Sequence, residues 1–230
     1  MPSATHGSFI WQLGANICDN LRDLGRENEQ VCDFTNSISN VLSSNLFLRD
    51  YDSTQGSTGK VEALRMSDTQ FQHESATYPG VIVEVALTQD AKRLARIAKD
   101  YIYLTEEAIQ VVICINLNSD NDSTISVWEA TYAPLPDTDQ LELFYEEVVK
   151  REGALTLYLY DFALEEFHQG IPNLSFSIPY SRVAEMLNRA EMIQLNRNAA
   201  AENEPVSRGA KGRARSPESK PEAMPGEDKL

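Results

Sequence analysis

The sequence P-G-V-I-V-E-V-A-L, from Pro79 to Leu87, decides the fold because it contains the most apolar strand of the chain. The run is rich in β-branched residues and follows a Pro-Gly turn signal, which predicts a strand buried on both faces. An amphipathic helix is predicted over Ala91 to Leu104, and a second buried strand over Gln110 to Leu117. A helix between two buried strands predicts a crossover unit, in which the strands are parallel neighbours in one sheet.

The N-terminal side of this unit is predicted to contain one helix, a long loop and one strand. Apolar residues at spacings of three and four predict the helix over Phe9 to Leu24. The segment from Asn36 to Gly59 is rich in Ser, Asn, Asp, Thr and Gly, so it is predicted to be mostly loop, and only Val41 to Leu48 is apolar enough to form a strand or a short helix. The alternation in S-D-T-Q-F-Q, from Ser67 to Gln72, predicts a half-exposed strand.

The C-terminal side is predicted to add antiparallel strands and a closing helix. The strands are expected over Thr124 to Tyr132, Leu141 to Val149 and Leu155 to Tyr160. The last two are predicted to form a hairpin through Glu152 and Gly153. The helix is expected over Pro179 to Gln194.

Composition places these elements in a single domain, residues 1–195. The chain has 230 residues, 42% of them hydrophobic, which is enough for one well-filled core. From residue 196 onward branched apolar and aromatic residues are almost absent, so 196–230 is predicted to be a disordered tail. The tail has seven basic and six acidic side chains, so the net charge of −15 becomes −16 in the domain. That negative field counts against nucleic acid binding, because it repels phosphates.

Several classes of protein are excluded by residue spacing. The cysteines, Cys18, Cys32 and Cys114, are too scattered to predict a disulfide framework or a zinc site. The three histidines are equally scattered and are predicted to be surface or loop residues rather than catalytic bases. No apolar run reaches the roughly 18 to 20 residues of a membrane span, and the N-terminus lacks the pattern of a secretion signal. We therefore expect an intracellular protein, cytoplasmic or nuclear, that is neither secreted nor membrane-bound.

Glu84 does not fit an ordinary buried strand, because an unpaired carboxylate among apolar side chains carries a large desolvation penalty. Strand alternation places it on one face with Ile82 and Ala86. Two explanations stay open: an ion pair with an Arg or Lys of the following helix, or a divalent metal shared with Asp68. Asp68 lies 16 residues earlier, a spacing that suits a hairpin. Two such carboxylates suit Mg²⁺, which prefers oxygen ligands and retains several waters.

The helix after this strand has a basic face in an otherwise acidic domain. Gln89, Lys92, Arg96 and Lys99 are spaced by three, four and three, so they form one polar stripe. The stripe is either a surface that faces phosphates or an ordinary solvated face.

The order of these motifs resembles the PD-(D/E)XK nuclease-like superfamily. The matching features are S-D at Ser67 and Asp68, the P-G-V-I-V-E-V strand, T-Q, a helix with D-Y, and V-V-I-C-I-N-L. The chain is most similar to fungal uncharacterised members related to bacterial restriction-endonuclease-like families, and residues 66–117 match best. The resemblance implies an αβββαβ restriction-endonuclease-like core, a mixed sheet flanked by helices. It implies Asp68 and Glu84 as Mg²⁺ ligands and Gln89 and Tyr101 as accessory positions.

The chain departs from the family's E-x-K pattern, because Ala86 stands two residues after Glu84 where the family has a lysine. The resemblance then implies that Lys92, or failing that Lys99, supplies the catalytic ammonium from the adjacent helix. A third carboxylate is expected from either Glu27 or Glu29, with no basis for choosing between them.

Two functions follow from this resemblance. The first is a Mg²⁺-dependent nuclease that cuts phosphodiester bonds, in DNA ahead of RNA, with a catalytic set of Asp68, Glu84, Lys92 and Gln89. The alternative is a catalytically inactive nuclease-fold module that serves in binding or assembly. Ala86 and the acidity of the domain favour the alternative.

Overall fold

The computed structural model describes residues 3–26, 28–50, 60–87, 91–105, 108–117, 123–134, 141–148 and 153–202. These residues form a mixed α/β structure, in which helices flank a mixed sheet and two small antiparallel pairs of strands are added. The helices are α1 (Ala4–Gly25), α2 (Glu29–Asn36), α3 (Ala91–Tyr103) and α4 (Tyr180–Glu202), with short 3-10 turns over Leu159–Phe162 and Glu165–Phe167. The strands are β1 (Ile38–Asn40), β2 (Asn45–Asp50), β3 (Lys60–Met66), β4 (Thr69–His73), β5 (Val81–Leu87), β6 (Val111–Leu117), β7 (Thr124–Pro134), β8 (Leu141–Val148), β9 (Ala154–Tyr158) and β10 (Ser175–Pro179).

The main sheet has six strands in the order β1-β4-β5-β6-β7-β8. Only β5 and β6 are parallel, in a register that pairs Glu84 with Cys114, and α3 connects them. The other neighbours are antiparallel. The predicted crossover unit is therefore confirmed: the two strands are parallel neighbours, and parallel neighbours need a crossover connection such as α3.

The two faces of β5 belong to two different hydrophobic clusters. Val81, Val83 and Val85 pack in a core with residues of α1 and α4. Ile82 and Ala86 pack in a second core with residues of α3 and β2. The predicted alternation of this strand is confirmed, and it directs Glu84 toward α3.

Helix α1 covers one face of the sheet and begins earlier than its apolar stripe predicts. Ser3 caps it, because its side chain accepts a hydrogen bond from the backbone N–H of His6. Phe9, Leu13 and Ile17 are fully buried, so the predicted apolar face is the one that packs. The helix ends at Gly25, where a Cβ would lie 2.9 Å from the Cα of Cys32 in α2.

The predicted hairpin between the strands near 141–149 and 155–160 is wrong. Strand β8 pairs with β7, whereas β9 pairs with β10, a strand that the sequence reading missed. The alternating Leu155 and Leu157 face the core together with Phe176 and Ile178 of β10. Burial of these four side chains under α1 and α4 stabilises the pairing of β9 with β10, which replaces the predicted local hairpin of β8 with β9.

Three other expectations need correction. The segment predicted to be mostly loop, residues 36–59, contains β1 and β2 in its described part, 36–50; β1 was not expected, whereas β2 overlaps the stretch from Val41 to Leu48 that was expected as a strand or short helix. Strand β4 is buried on both faces rather than half-exposed. Helix α4 continues to Glu202, past the predicted domain end at 195, whereas 203–230 lie outside the described residues. Within the part of the chain that the structure describes, no helix is both long enough and apolar enough to cross a bilayer.

Candidate functional site

The antiparallel pairing of β4 and β5 brings Asp68 and Glu84 together. Thr69 pairs with Val83, so the next position along this register sets Asp68 beside Glu84. Asp68 Oδ2 accepts a hydrogen bond of 2.6 Å from the backbone N–H of Val85, which fixes its carboxylate at the end of β4. The juxtaposition expected from the 16-residue spacing is therefore present.

A side chain of α3 holds Glu84 by a hydrogen bond: the hydroxyl of Tyr101 donates to Glu84 Oε1 at 2.6 Å. The pKa of Glu84 is raised from its ordinary value of 4.5 to about 7, mainly by burial, and the negative charge of Asp68 contributes to the rise. The Tyr101 hydrogen bond and the positive charges of Arg65 and His6 act in the opposite direction. Near neutral pH the carboxyl is therefore divided between its charged and neutral forms.

The sequence left two explanations for Glu84 open, an ion pair with the following helix or a divalent metal. In the structure a hydrogen bond stands in the place of the ion pair. The partner of Glu84 in the following helix is Tyr101, and no ion pair joins Glu84 to a basic residue of α3 among the described residues. Burial and Glu84 raise the pKa of the Tyr101 phenol in turn, so this hydroxyl stays a donor. A neutral donor does not compensate the carboxylate charge, which leaves the pair suited to a cation.

His6, near the start of α1, is the cationic group closest to Asp68. Its Nε2 lies 3.0 Å from the carbonyl oxygen of Val85 and 3.3 Å from Asp68 Oδ1. Because a carbonyl only accepts hydrogen bonds, Nε2 carries a proton in this geometry. The hydrogen bond to Asp68 raises the pKa of His6, although burial acts against it. The prediction that the histidines are surface or loop residues is therefore wrong for His6, which lies in α1, and for His73, which is buried in β4.

Two arginines complete the polar wall of the site. Arg65 of β3 forms an ion pair with Asp100 of α3, which ties the β2-β3 pair to this helix. Arg93, on the first turns of α3, is exposed and lines the same cavity. These cations lie beside the carboxylates within a domain whose sequence is strongly acidic.

The site opens into a cavity of about 380 Å³, which we call the carboxylate cavity; it is lined by His6, Arg65, Asp68, Glu84, Arg93 and Tyr101, with apolar residues of β3, β5 and α3. Ala86 also lines it, on the same face of β5 as Glu84 and nearly fully buried. The position two residues after Glu84 therefore faces the cavity, and the short alanine side chain leaves space there.

The other predicted residues are placed differently. Lys92 is exposed on α3 and is not among the described residues that line the cavity; its neighbour Arg93 is. Lys99 is exposed too, with Nζ 5.4 Å from the ring centre of Tyr103. Glu29 is an exposed residue in the first turn of α2. Gln89 and Glu27 lie outside the described residues.

The donor set fits a hard divalent cation with few protein ligands. Asp68 and Glu84 supply carboxylate oxygens, which have lone pairs beyond the hydrogen bonds that they accept from Val85, His6 and Tyr101. Burial first, and the charge of Asp68 with it, raises the pKa of Glu84, and a bound cation would favour the charged form against both. No group of three or more His, Cys, Asp or Glu in metal-binding proximity occurs among the described residues. A cation that retains its waters, such as Mg²⁺, therefore suits the pair better than Zn²⁺.

His6 is the site residue that a closer reading of the sequence could have found. It stands four residues before Ile10, which begins the apolar stripe of α1, and three residues after the capping Ser3. Those signals extend the helix and turn His6 toward the sheet. Arg65 had no such signal, because its contact with Asp100 depends on how the β2-β3 pair packs on α3.

Comparison with known proteins identifies no relative of this chain. No protein-family model, no curated protein and no solved structure matches the chain.

Proposed function

We propose that this protein is a metal-dependent nuclease of the PD-(D/E)XK type, in which Asp68 and Glu84 hold Mg²⁺ and the substrate is a phosphodiester of nucleic acid. One observation carries the proposal: two carboxylates on neighbouring strands meet in a cavity that also contains His6, Arg65 and Arg93. Opposed acidic and basic groups of this kind suit a cation together with an anionic substrate.

The order of the elements supports the same proposal. Helix α1, strands β1, β4 and β5, helix α3 and strand β6 follow one another as α-β-β-β-α-β once the separate β2-β3 pair is set aside. Their order in the sheet is β1-β4-β5-β6, with one parallel pair at β5-β6. The resemblance to the PD-(D/E)XK superfamily implies an αβββαβ core, and this order of elements supports the proposal. Asp68 directly precedes β4 and lies beside Glu84 of β5.

The chain's own residues have separable tasks in such a site. Asp68 and Glu84 hold the cation, which supplies Lewis-acid polarisation of a phosphoryl oxygen and lowers the pKa of a bound water. Tyr101 orients the Glu84 carboxylate through its hydrogen bond. His6 orients the Asp68 carboxylate, and Arg93, at the cavity wall, is placed to bind a phosphate oxygen.

A second function is favoured by two specific observations. Ala86 cannot supply the ammonium of the family's E-x-K pattern, and Lys92, its predicted replacement, is exposed away from the residues that line the cavity. A protein that binds metal and phosphodiester without cutting would retain everything else in the site. The alternative proposal is therefore a nuclease-fold binding or assembly module.

Metal binding and cleavage measured on the same samples separate the two proposals. Calorimetric titration of Mg²⁺ and Mn²⁺ into the wild type is expected to show one site that disappears in Glu84→Gln, while the matched surface variant Glu29→Gln retains it. Nicking of a supercoiled plasmid that follows the same pattern supports the nuclease. Metal binding without nicking supports the binding module, and a folded wild type that binds neither metal contradicts both.

A further inference from the structure

A second cavity adjoins the carboxylate cavity and shares His6 and Asp68 with it. We call it the α1 groove; it lies between α1 and residues 40–43 and is lined by Gly7, Trp11, Ala15, Cys18, Asn40 and Leu42, among others. Its volume is about 420 Å³, which falls within the roughly 300–1,000 Å³ typical of small-molecule sites. The groove therefore has room for a group the size of a nucleoside and not for a duplex.

The α1 groove exposes an aromatic side chain that is not buried in the hydrophobic core. Trp11 is 69% exposed, whereas the other tryptophan, Trp128, is only 8% exposed. Gly7 and Ala15 precede and follow Trp11 along the groove, so small side chains leave space beside the indole. A wide, exposed indole at the edge of a concave site is a platform for stacking.

The opposite wall of the groove is held in an uncommon backbone conformation. Leu42 has a φ of 55°, in the left-handed region, and its side chain is 59% exposed. The side chain of Asn40 fixes this turn, because its Oδ1 accepts from the backbone N–H of Leu42 at 2.9 Å. The hydroxyl of Thr69 donates to the same oxygen at 2.8 Å, which ties the wall to the residue after Asp68.

Helix α1 packs closely on the turn that forms the opposite wall. A Cβ at Gly14 of α1 would lie 2.6 Å from Asn40 Nδ2, so the absence of a side chain at this position leaves room for Asn40. Asn40 thus contacts both the helix that carries Trp11 and the turn that carries Leu42.

The α1 groove and helix α3, on the other side of the site, differ in charge. They therefore suit different parts of a ligand. Helix α3 carries Lys92, Arg93, Arg96 and Lys99 but only one acid, Asp100. Those side chains suit a phosphate backbone at the carboxylate cavity, which Arg93 lines. The α1 groove instead exposes Trp11 and Leu42, which suit the face and edge of a base.

We propose that the α1 groove takes an unpaired base of single-stranded nucleic acid, whose phosphate lies in the adjoining carboxylate cavity beside Arg93. The indole of Trp11 stacks on the base and Leu42 contacts its edge. A base in a duplex is already paired and stacked, so the groove selects single strands or unpaired ends. This inference rests on the proposed function for its choice of nucleic acid, but not on whether the site cuts.

The test measures binding of a short fluorescein-labelled oligothymidylate by anisotropy, against a duplex of the same length, in a buffer with Ca²⁺. Trp11→Ala is expected to weaken single-strand binding by at least about fivefold, the lower end for one stacked base. Trp11→Phe retains most of the affinity, and Trp128→Phe, which changes the other tryptophan, leaves it unchanged. Leu42→Gly, which also relieves the backbone strain, is expected to weaken binding by a smaller factor.

The outcomes distinguish this inference from the proposed function. Equal single-strand affinity in Trp11→Ala and the wild type overturns the groove assignment, even where calorimetry shows the metal site intact. Trp11-dependent binding without any metal site supports the groove and contradicts the proposed function. A wild-type dimer that becomes monomeric in Trp11→Ala, measured by light scattering, would mean that a second copy covers the groove, and it also overturns the assignment.

Discussion

One face of β5, which we call the valine face, packs Val81, Val83 and Val85 into the core shared with α1 and α4, whereas the other face sets Glu84 against α3 between two buried apolar residues. Both faces lie in the same strand, between the same two neighbours. Apolar side chains on both faces gain free energy from burial, roughly 25 cal/mol for each Å² of apolar surface removed from water. Glu84 loses free energy, because its carboxylate is desolvated and its pKa rises to about 7. The comparison teaches that one buried carboxylate lowers the stability that its face otherwise gains from burial.

Placing a carboxylate on the valine face should have the largest effect. Val83 is fully buried, and Val83→Asp buries a charge with no donor arranged to meet it. The expected loss is about 3–5 kcal/mol or complete unfolding, measured by urea denaturation. The conservative variant Val83→Ala should cost far less. Retention of wild-type stability in Val83→Asp would mean that the two faces do not differ as described.

Removing the charge of Glu84, on the other face of β5, should stabilise the protein. The size of this effect should depend on pH. The folded pKa of Glu84, about 7, exceeds its ordinary value of 4.5, so folding favours the protonated form. The stabilising contribution of that proton is complete below pH 4.5 and is lost as the pH rises through about 7. Metal-free Glu84→Gln should therefore be more stable than the wild type at pH 8, by about 2–3 kcal/mol, with the gap closing toward pH 4.5.

Urea denaturation of both proteins across this pH range checks the prediction. Glu29→Gln, which removes an exposed carboxylate, serves as the control and should show no such trend. A Glu84→Gln variant that is less stable than the wild type at pH 8 would show that the carboxylate is compensated by more than Tyr101.

Removing the Tyr101 hydroxyl measures how much its hydrogen bond stabilises the buried Glu84 carboxylate. Tyr101→Phe keeps the buried ring but removes the hydrogen bond of 2.6 Å. A hydrogen bond to a charged group contributes about 1.5–3 kcal/mol, so a loss of that size is expected at pH 8. Combining Tyr101→Phe with Glu84→Gln should recover much of it. Full additivity of the two changes would indicate that the residues are not coupled.

A lysine at position 86 tests activity rather than stability, because Ala86 is nearly fully buried and a longer side chain there also changes the packing. Ala86 faces the carboxylate cavity, so Ala86→Lys can extend its ammonium into open space beside Glu84. If Ala86 limits cleavage, plasmid nicking should rise at least about tenfold, within the range expected for a positioned proton-transfer or charge-stabilising group. Ala86→Met, which adds a chain of similar length without charge, should give no increase. Equal nicking by Ala86→Lys and Ala86→Met would show that the absence of a lysine at position 86 does not limit cleavage.

The sequence predicted the local elements around β5 well, because each is decided by its own periodicity. The β5-α3-β6 unit and the meeting of Asp68 with Glu84 both follow from short-range patterns. The placement of Lys92 did not follow, since one residue turns a helix by about 100° and brings Arg93 to the cavity instead. His6 was missed because its role depends on where the first turn of α1 meets β5, 79 residues away.

Pairings between distant strands were also beyond the reach of local rules. The β9-β10 pair joins strands separated by two 3-10 turns, and the hairpin rule favoured the nearer partner. Short alternating segments such as S-F-S-I-P are ambiguous until the core that they cover is known.

The most direct test of the central claim is the titration of Glu84 itself, followed by carbon NMR of its side-chain carboxyl and assigned with Glu84→Gln. Without metal the account predicts a midpoint near pH 7. With saturating Mg²⁺ it predicts a midpoint at least about one unit lower, because the cation favours the charged form. A midpoint near 4.5 that Mg²⁺ does not move would contradict both the buried carboxylate and the metal site.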